Sequence, residues 1–341
     1  MKKLNFVDKL LFVVNSIFAA LLILSYFLPF IPPHISPLLA VLSLAVPFLI
    51  LSNLLFFLFW FLKMKRQLLL SFLVLLIGFN HVNSLFKFPD TTTLNEQNQF
   101  SVMNYNVRLF NLYSWIDDHN IEVDIMKFIE SQAPDVISFQ EYHPHLNVDL
   151  SFYKFKYEKL SGNRVKYGQA IFSKYPIINS GSVEFANTAN NAIYADIVTS
   201  FDTIRVYNIH LQSLRLDTEK EEFTKDNSSR LLKRFGETFK MQETQTELFL
   251  KHKKLSPYKL VVCGDFNNTA YSYVYKKITE NLKDSFNEAG HGFGRTWNFK
   301  YFPIRIDFIL VDNSFKVNTF EVFNQNYSDH FPIISKMSLG Q

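Results

Sequence analysis

Leu260-Val261-Val262-Cys263-Gly264-Asp265-Phe266-Asn267 reads as a buried strand that runs out into chemistry. Four apolar residues lead into a glycine, after which an acid and a carboxamide stand two apart, on the same side of an extended chain. The same design recurs around it. VMNYN at 102–106 ends in a carboxamide, VISFQE at 136–141 in a carboxylate, and VYNIHL at 206–211 carries an imidazole near its end. RIDFIL at 305–310 sets an acid inside an apolar run, and SDHFP at 328–332 puts an acid and an imidazole before the last strand. Strands are expected at 100–107, 135–140, 153–160, 169–172, 192–199, 203–211, 259–266, 304–311, 317–322 and 332–338. Helices are expected at 121–132, within 219–253 and at 271–282. The two kinds are not regularly interleaved, which argues against a doubly wound parallel sheet and for a mixed two-sheet core with helices outside.

Upstream the chain changes character. From Leu10 to Leu62 there is no Asp, Glu, Lys or Arg, a run far longer than the ~20 residues that one membrane crossing needs. Pro29-Phe30-Ile31-Pro32-Pro33-His34-Ile35-Ser36-Pro37 interrupts it as a turn. Crossings are expected at 8–29 and 38–62, and a third at 67–86, a run that includes Asn80, His81 and Asn83. A signal peptide is a poor alternative: the first run is too long, lacks a cleavage site and is followed by more apolar sequence. Lys2, Lys3 and Lys9 precede the first span and Lys63, Lys65 and Arg66 follow the second, whereas the Pro-rich turn has no basic residue. With three spans both basic ends are cytoplasmic and everything after about Lys87 is extracytoplasmic, whereas with two, the fallback, the large domain is cytoplasmic. The polar stretch 89–99 reads as a linker between the membrane region (1–88) and a catalytic domain (100–341).

The 341 residues carry a net charge of +4, but the average misleads. Residues 1–88 hold seven basic residues against Asp8, leaving 28 basic and 30 acidic residues in the rest. The excess charge belongs to membrane topology and not to a nucleic-acid-binding face. One cysteine, Cys263, excludes an intramolecular disulfide framework and Cys-rich zinc modules. Neither a phosphate-binding GxxxxGK[ST] loop nor a G-x-S-x-G elbow is present.

Glu141, Asp265 and Asp329, with the amides of Asn106 and Asn267, are hard oxygen donors suited to Mg²⁺ or Mn²⁺. His210 and His330 add proton transfer and charge stabilisation near neutral pH. Buried unpaired acids are costly, and a shared cation is the least expensive common partner. Metal-assisted hydrolysis of a phosphate ester is the natural product of such a set.

The ordered series NYN106V, QE141, NIH210L, GD265FN267, RID307F and SD329H330 resembles the endonuclease/exonuclease/phosphatase superfamily of metal-dependent phosphoesterases over about residues 98–340. The resemblance implies a four-layer α/β/β/α sandwich, with the site at one end of the two packed sheets. It implies that Glu141 is the main metal ligand with Asn106 beside it, and that Asp329 helps position metal or water. Asp265 would orient or deprotonate the attacking water and Asn267 would hold the phosphate. His330, oriented by Asp307, would contact the scissile phosphate. His210 matches the second histidine of the deoxyribonuclease and sphingomyelinase branches. Thr296 and Asn191, with Asn190 beside it, match positions at the phosphate or the rim. Abasic-site endonucleases carry an acid two residues after the first Asn; Arg108 stands there, which leans away from that branch. The expectation is a membrane-anchored hydrolase acting on nucleic acid or a phospholipid headgroup, with no obligate protein partner. A binding or scaffold module that keeps the fold without activity is the alternative.

Overall fold

The computed structural model describes residues 4–88, 99–118, 120–216 and 225–340. The expected linker lies almost wholly outside them, as does the start of the expected 219–253 helix.

The N-terminal region is a small helical bundle. α1 (Phe6–Ser25) starts at Asn5, whose side chain accepts from Asp8 N at 2.7 Å. α2 (Pro37–Leu42) and α3 (Val46–Leu62) join through a single tight turn. α4 (Leu68–Ile77) and α5 (Phe79–Leu85) meet at an 81° bend. Two segments are long and apolar enough to cross a membrane, Phe6–Phe30 and Pro37–Leu62. The third expected span is thus a bent pair and not one straight helix. Its bend falls at Gly78, where a Cβ would lie 2.0 Å from the Tyr26 hydroxyl. Inside the bundle three helices are tied by polar side chains. Asn15 Nδ2 donates to Ser71 Oγ at 2.7 Å, and Trp60 Nε1 donates to Asn15 Oδ1 at 2.9 Å. Asn53 Nδ2 donates to the carbonyls of Leu49 and Phe18. Such bonds between buried side chains fix how the three helices sit on one another.

The rest follows in chain order: β1 (Phe86–Lys87), β2 (Phe100–Asn106), α6 (Ile121–Gln132), β3 (Val136–Tyr142), β4 (Phe155–Ser161), β5 (Tyr167–Ser173), β6 (Ile177–Glu184), β7 (Asn191–Val198) and β8 (Thr203–His210). Then come α7 (Lys225–Lys253), β9 (Lys259–Asp265), α8 (Tyr273–Thr279), β10 (Leu282–Asp284), α9 (Ser285–Ala289), β11 (Gly292–Phe293), β12 (Asp307–Asp312), β13 (Phe315–Val322) and β14 (Ile333–Leu339). Two six-stranded sheets, β13-β14-β2-β3-β5-β4 and β10-β12-β9-β8-β7-β6, pack face to face. Each has one parallel pair at its centre, β2–β3 and β8–β9, within an otherwise antiparallel arrangement. Every expected strand has a counterpart. β6 was not expected, because its Ser- and Gly-containing sequence on an exposed edge lacks an apolar run.

Alternation places the layers. Val102, Val136, Val206, Val261 and Ile309 fill the space between the sheets. Met103, Ile137 and Phe139 face outward under α6, while Tyr207, Val262 and Phe308 face outward under α7 and α8. The architecture is a four-layer α/β/β/α sandwich preceded by apolar helices.

The two regions are docked on each other. The turn between α1 and α2 presents His34, whose backbone N and Nδ1 lie 2.8 and 2.7 Å from the two Glu243 carboxylate oxygens on α7. Tyr271 donates its hydroxyl to His81 O at 3.1 Å, and β1 pairs with β11.

Candidate active site

The inward positions of the four central strands change from apolar to polar towards one end. They read Val102, Asn104, Asn106 on β2; Val136, Ser138, Gln140 on β3; Val206, Asn208, His210 on β8; and Val261, Cys263, Asp265 on β9. The parallel pairs make all four strands point their C-terminal ends the same way, which gathers these residues at one end of the sandwich. In register, His210 sits opposite Asp265, and Asp265 opposite Asp307 on β12.

One rung below the end, three carboxamides join the sheets. Gln140 Nε2 donates to Asn104 Oδ1 at 2.8 Å and to Asn208 Oδ1 at 2.7 Å. Asn208 Nδ2 donates to Phe139 O at 2.7 Å. All three side chains are buried. These residues lie inside the motifs NYN, QE and NIH, and were missed because only the terminal residue of each was assigned chemistry. Their spacing of two from Asn106 and His210 was the available signal.

Glu141 breaks the alternation, since an odd position on β3 should face α6. A register shift between Phe139 and Tyr142 and a left-handed backbone at Glu141 (φ 48°) turn its side chain back to the site. Asn267 is also left-handed (φ 49°), and Gly264 is required because a Cβ there would lie 2.0 Å from Ile209 O.

At the top, Asn106 Nδ2 reaches across both sheets, 3.1 Å from Asp265 Oδ2 and 3.4 Å from Glu141 Oε1. Asn267 donates its backbone N–H to Asp265 Oδ1 at 2.8 Å and Nδ2 to Leu211 O at 3.1 Å. His330 Nδ1 lies 2.9 Å from Asp307 Oδ2, and its Nε2 lies 3.7 Å from Asp265 Oδ2. His210 Nε2 is 3.6 Å from the same Asp265 oxygen and has no hydrogen-bond partner among the described residues. Asp329 pairs with Arg108 at 3.6 Å, and the Arg108 guanidinium lies over the Trp115 ring.

The electrostatics separate these groups. Burial, and then the His330 charge, lower His210 to about 3, so it is a neutral imidazole. Burial would also lower His330, but Asp307 and Asp265 outweigh it and hold His330 well above the ordinary histidine range. Burial raises Asp265 despite the pull of His330. Glu141 is raised by burial and next by the neighbouring Asp329 carboxylate. Two neighbouring carboxylates, in an all-oxygen setting with Asn106, fit a hard divalent cation. A second grouping, Asp265, Asp307 and His330, also has ligand-type atoms within 4.8 Å of one another. There the His330 Nδ1 is committed to Asp307 and the imidazole favours a proton.

Of the expected residues, Asn106, Glu141, His210, Asp265, Asn267, Asp307, Asp329 and His330 converge. Thr296 and Asn191 do not join them. Thr296 is fully buried, and its hydroxyl accepts from the backbone N–H groups of Ile306 and Asp307, both at 3.0 Å. It shapes the start of β12, its oxygen taken up by those two N–H groups. The Asn191 side chain bonds to Gln169 and Ser182; its neighbour Asn190 comes nearer, donating to Leu211 O at 2.7 Å. Over the converged residues lies a cavity of about 390 Å³, whose polar pole holds Arg108, Glu141, Asp265, Asn267, Asp329 and His330.

Comparison with known proteins agrees with this fold. No curated protein matches the chain. Residues 8–85 match a model described as a domain of unknown function. Among solved structures, an endonuclease/exonuclease/phosphatase from Beutenbergia cavernae aligns at TM-score 0.55 and 18% identity, covering 72% of each chain. An endonuclease/exonuclease/phosphatase from Bacteroides vulgatus aligns at 0.54 and 18%, covering 71% of this chain and 100% of that one. The human Nocturnin catalytic domain with bound sulfate aligns at 0.53 and 16%, covering 72% and 96%. Residues 103–330, more than half of the chain, match the model of the endonuclease/exonuclease/phosphatase family, and the chain belongs to that family.

Proposed function

We propose that the protein is a membrane-anchored, divalent-metal-dependent phosphoesterase whose catalytic head stands on the extracytoplasmic side. The observation that carries the hydrolytic reading is Asn106, whose one amide links Glu141 of one sheet to Asp265 of the other, beside the Asp307–His330 pair. Glu141, Asn106 and Asp329 would hold Mg²⁺ or Mn²⁺, which when bound supplies charge neutralisation to the phosphate. Asp265, raised by burial and fixed by the Asn267 backbone N–H, accepts the proton of the attacking water. The His330 imidazolium, held by Asp307, faces the charge that builds on the phosphate oxygens. The Asn267 amide orients the phosphate, and neutral His210 supplies a second uncharged contact. These assignments rest on the placement of the side chains and on the family.

Three crossings suit the bundle. Asp8 pairs with Lys63, placing the start of α1 and the end of α3 at one end with the basic residues. The 29–37 turn and residues 81–87 both meet the head at the other end. A return across by the chain between Lys65 and His81 fits these two ends. Positive residues at the far end favour a cytoplasmic location for that end.

The test is hydrolysis of bis-(p-nitrophenyl) phosphate by the full-length protein in detergent. Chelator-sensitive hydrolysis restored by Mg²⁺ or Mn²⁺, with losses of several orders of magnitude in Asp265→Ala and His330→Ala, is expected. Chelator-indifferent turnover, or unchanged rates in both variants, would overturn it.

A further inference from the structure

The polar pole accounts for only part of the cavity. Most of the remaining wall is apolar and comes from four places. Leu44 comes from the segment joining α2 to α3, and Phe235 from α7. Leu214 follows β8, and Trp297, Phe299 and Phe302 come from the loop before β12. Trp297 and Phe299 stack with ring centroids 5.4 Å apart, and Phe299 meets Phe302 edge-on at 4.9 Å. Leu44 belongs to one of the two segments able to cross a membrane, Pro37–Leu62. It packs with Leu214 and Phe235 around Ala40, Val41 and Phe239, so the seam between α2 and α7 is itself the cavity wall. The other side of α2 exposes Leu38 and Leu42. One short helix thus offers apolar surface outward and, at its end, apolar surface into the site.

From this continuity we propose that the substrate is a phosphate ester carried on a membrane lipid, with its apolar portion against the Leu44–Phe235–Phe302 wall and its phosphate at the Arg108 pole. This deepens the phosphoesterase reading and rests on it. The cavity lies within the ~300–1,000 Å³ typical of small-molecule sites, enough for a headgroup and the adjoining part of a chain. Arg108 and Arg215, both lining the cavity, supply cationic donors for one phosphate. A polynucleotide would need a track of basic residues instead, and residues 89–341 hold 28 basic against 30 acidic residues. In the step, a water oxygen bonds to phosphorus, one P–O ester bond breaks, and the water proton ends on the departing alkoxide. No oxidant, reductant or further reactant is needed.

The experiment uses the full chain reconstituted in phosphatidylcholine vesicles doped, in separate arms, with phosphatidic acid, phosphatidylinositol 4-phosphate or sphingomyelin. Release of phosphate or phosphocholine is followed, with single-stranded DNA and bis-(p-nitrophenyl) phosphate as parallel substrates. Turnover of at least one lipid above that of the soluble diester is expected. Phe302→Ser and Leu214→Gln should each lower the ratio of lipid to soluble-ester turnover by about tenfold, the loss of a few buried methylene equivalents. Circular dichroism and the thermal unfolding midpoint of each purified variant report whether it is folded. Metal-dependent cleavage of the soluble ester or DNA with no lipid turned over, or an unchanged ratio in both variants, overturns the lipid proposal alone. No cleavage in any arm overturns the phosphoesterase reading as well.

Discussion

His330 Nδ1 stands 2.9 Å from Asp307 Oδ2, and the two residues are only 6% and 1% exposed. A buried imidazole next to a buried carboxylate keeps its proton, so the pair is an ion pair and His330 is raised well above the ordinary histidine range. Its stabilising contribution is complete below the unfolded histidine value and is lost as pH rises through the folded one. Asp307→Asn should cut hydrolysis by about a hundredfold or more. It should also move the alkaline limb of the pH–rate profile to lower pH, because the proton on His330 is held less tightly. An alkaline limb that stays in place would separate His330 from that ionisation.

Asn106 holds Glu141 at 3.4 Å while its oxygen accepts from Arg108 N at 3.1 Å. Asn106→Ala should therefore raise the Mg²⁺ concentration for half-maximal rate by about 10–100-fold, the usual effect of losing a group that orients a metal ligand. Calorimetric titration of the metal into the same variant checks this without turnover.

Gln140 bridges Asn104 and Asn208 between the sheets. Gln140→Leu should destabilise the protein by about 1–3 kcal/mol for each carboxamide oxygen left unpaired. Denaturant unfolding of the full chain in micelles measures it. A loss no larger than for an exposed substitution would remove the network from the account of stability.

Cys263 is buried between the sheets, and burial pushes its thiol far up from the ordinary range. Both effects suppress the thiolate. A maleimide should leave the native protein unlabelled and react only at the rate of unfolding, which labelling across a denaturant series will show.

That silence makes the wild-type chain a background for testing topology. Lys65→Cys and Lys316→Cys should be labelled from opposite faces of intact cells or oriented vesicles by an impermeant maleimide. Labelling of both from one face would refute the three-crossing arrangement.

Much of this was legible in the residues. Period-2 apolar runs with polar ends marked the strands, and the ends of β2, β8 and β9 are where the site stands. What was hidden came from geometry that sequence spacing does not express. Glu141 should have faced away by parity and is returned by a bulge and a left-handed residue. Thr296 has the composition of a phosphate contact, and spacing does not show that its oxygen accepts from two backbone N–H groups. Asn15, Asn53 and Ser71 looked like scattered polar residues in apolar runs until three helices brought them together. The 67–86 run looked like one helix, yet the Tyr26 ring occupies the space beside Gly78 where the bend falls. Arg215 and the aromatic wall had no motif at all, since an apolar lining is defined only by what it encloses.

The docking of the Pro-rich turn on α7, through His34 and Glu243, together with the β1–β11 pairing, has a kinetic meaning. A head pinned at two points cannot sweep the volume around its anchor as a leashed domain would. On the membrane-anchored, lipid-substrate reading proposed above, its encounters are set by what diffuses laterally past it. Its rate should accordingly follow the mole fraction of substrate within the surface and fall when inert lipid dilutes that surface, even at constant bulk concentration.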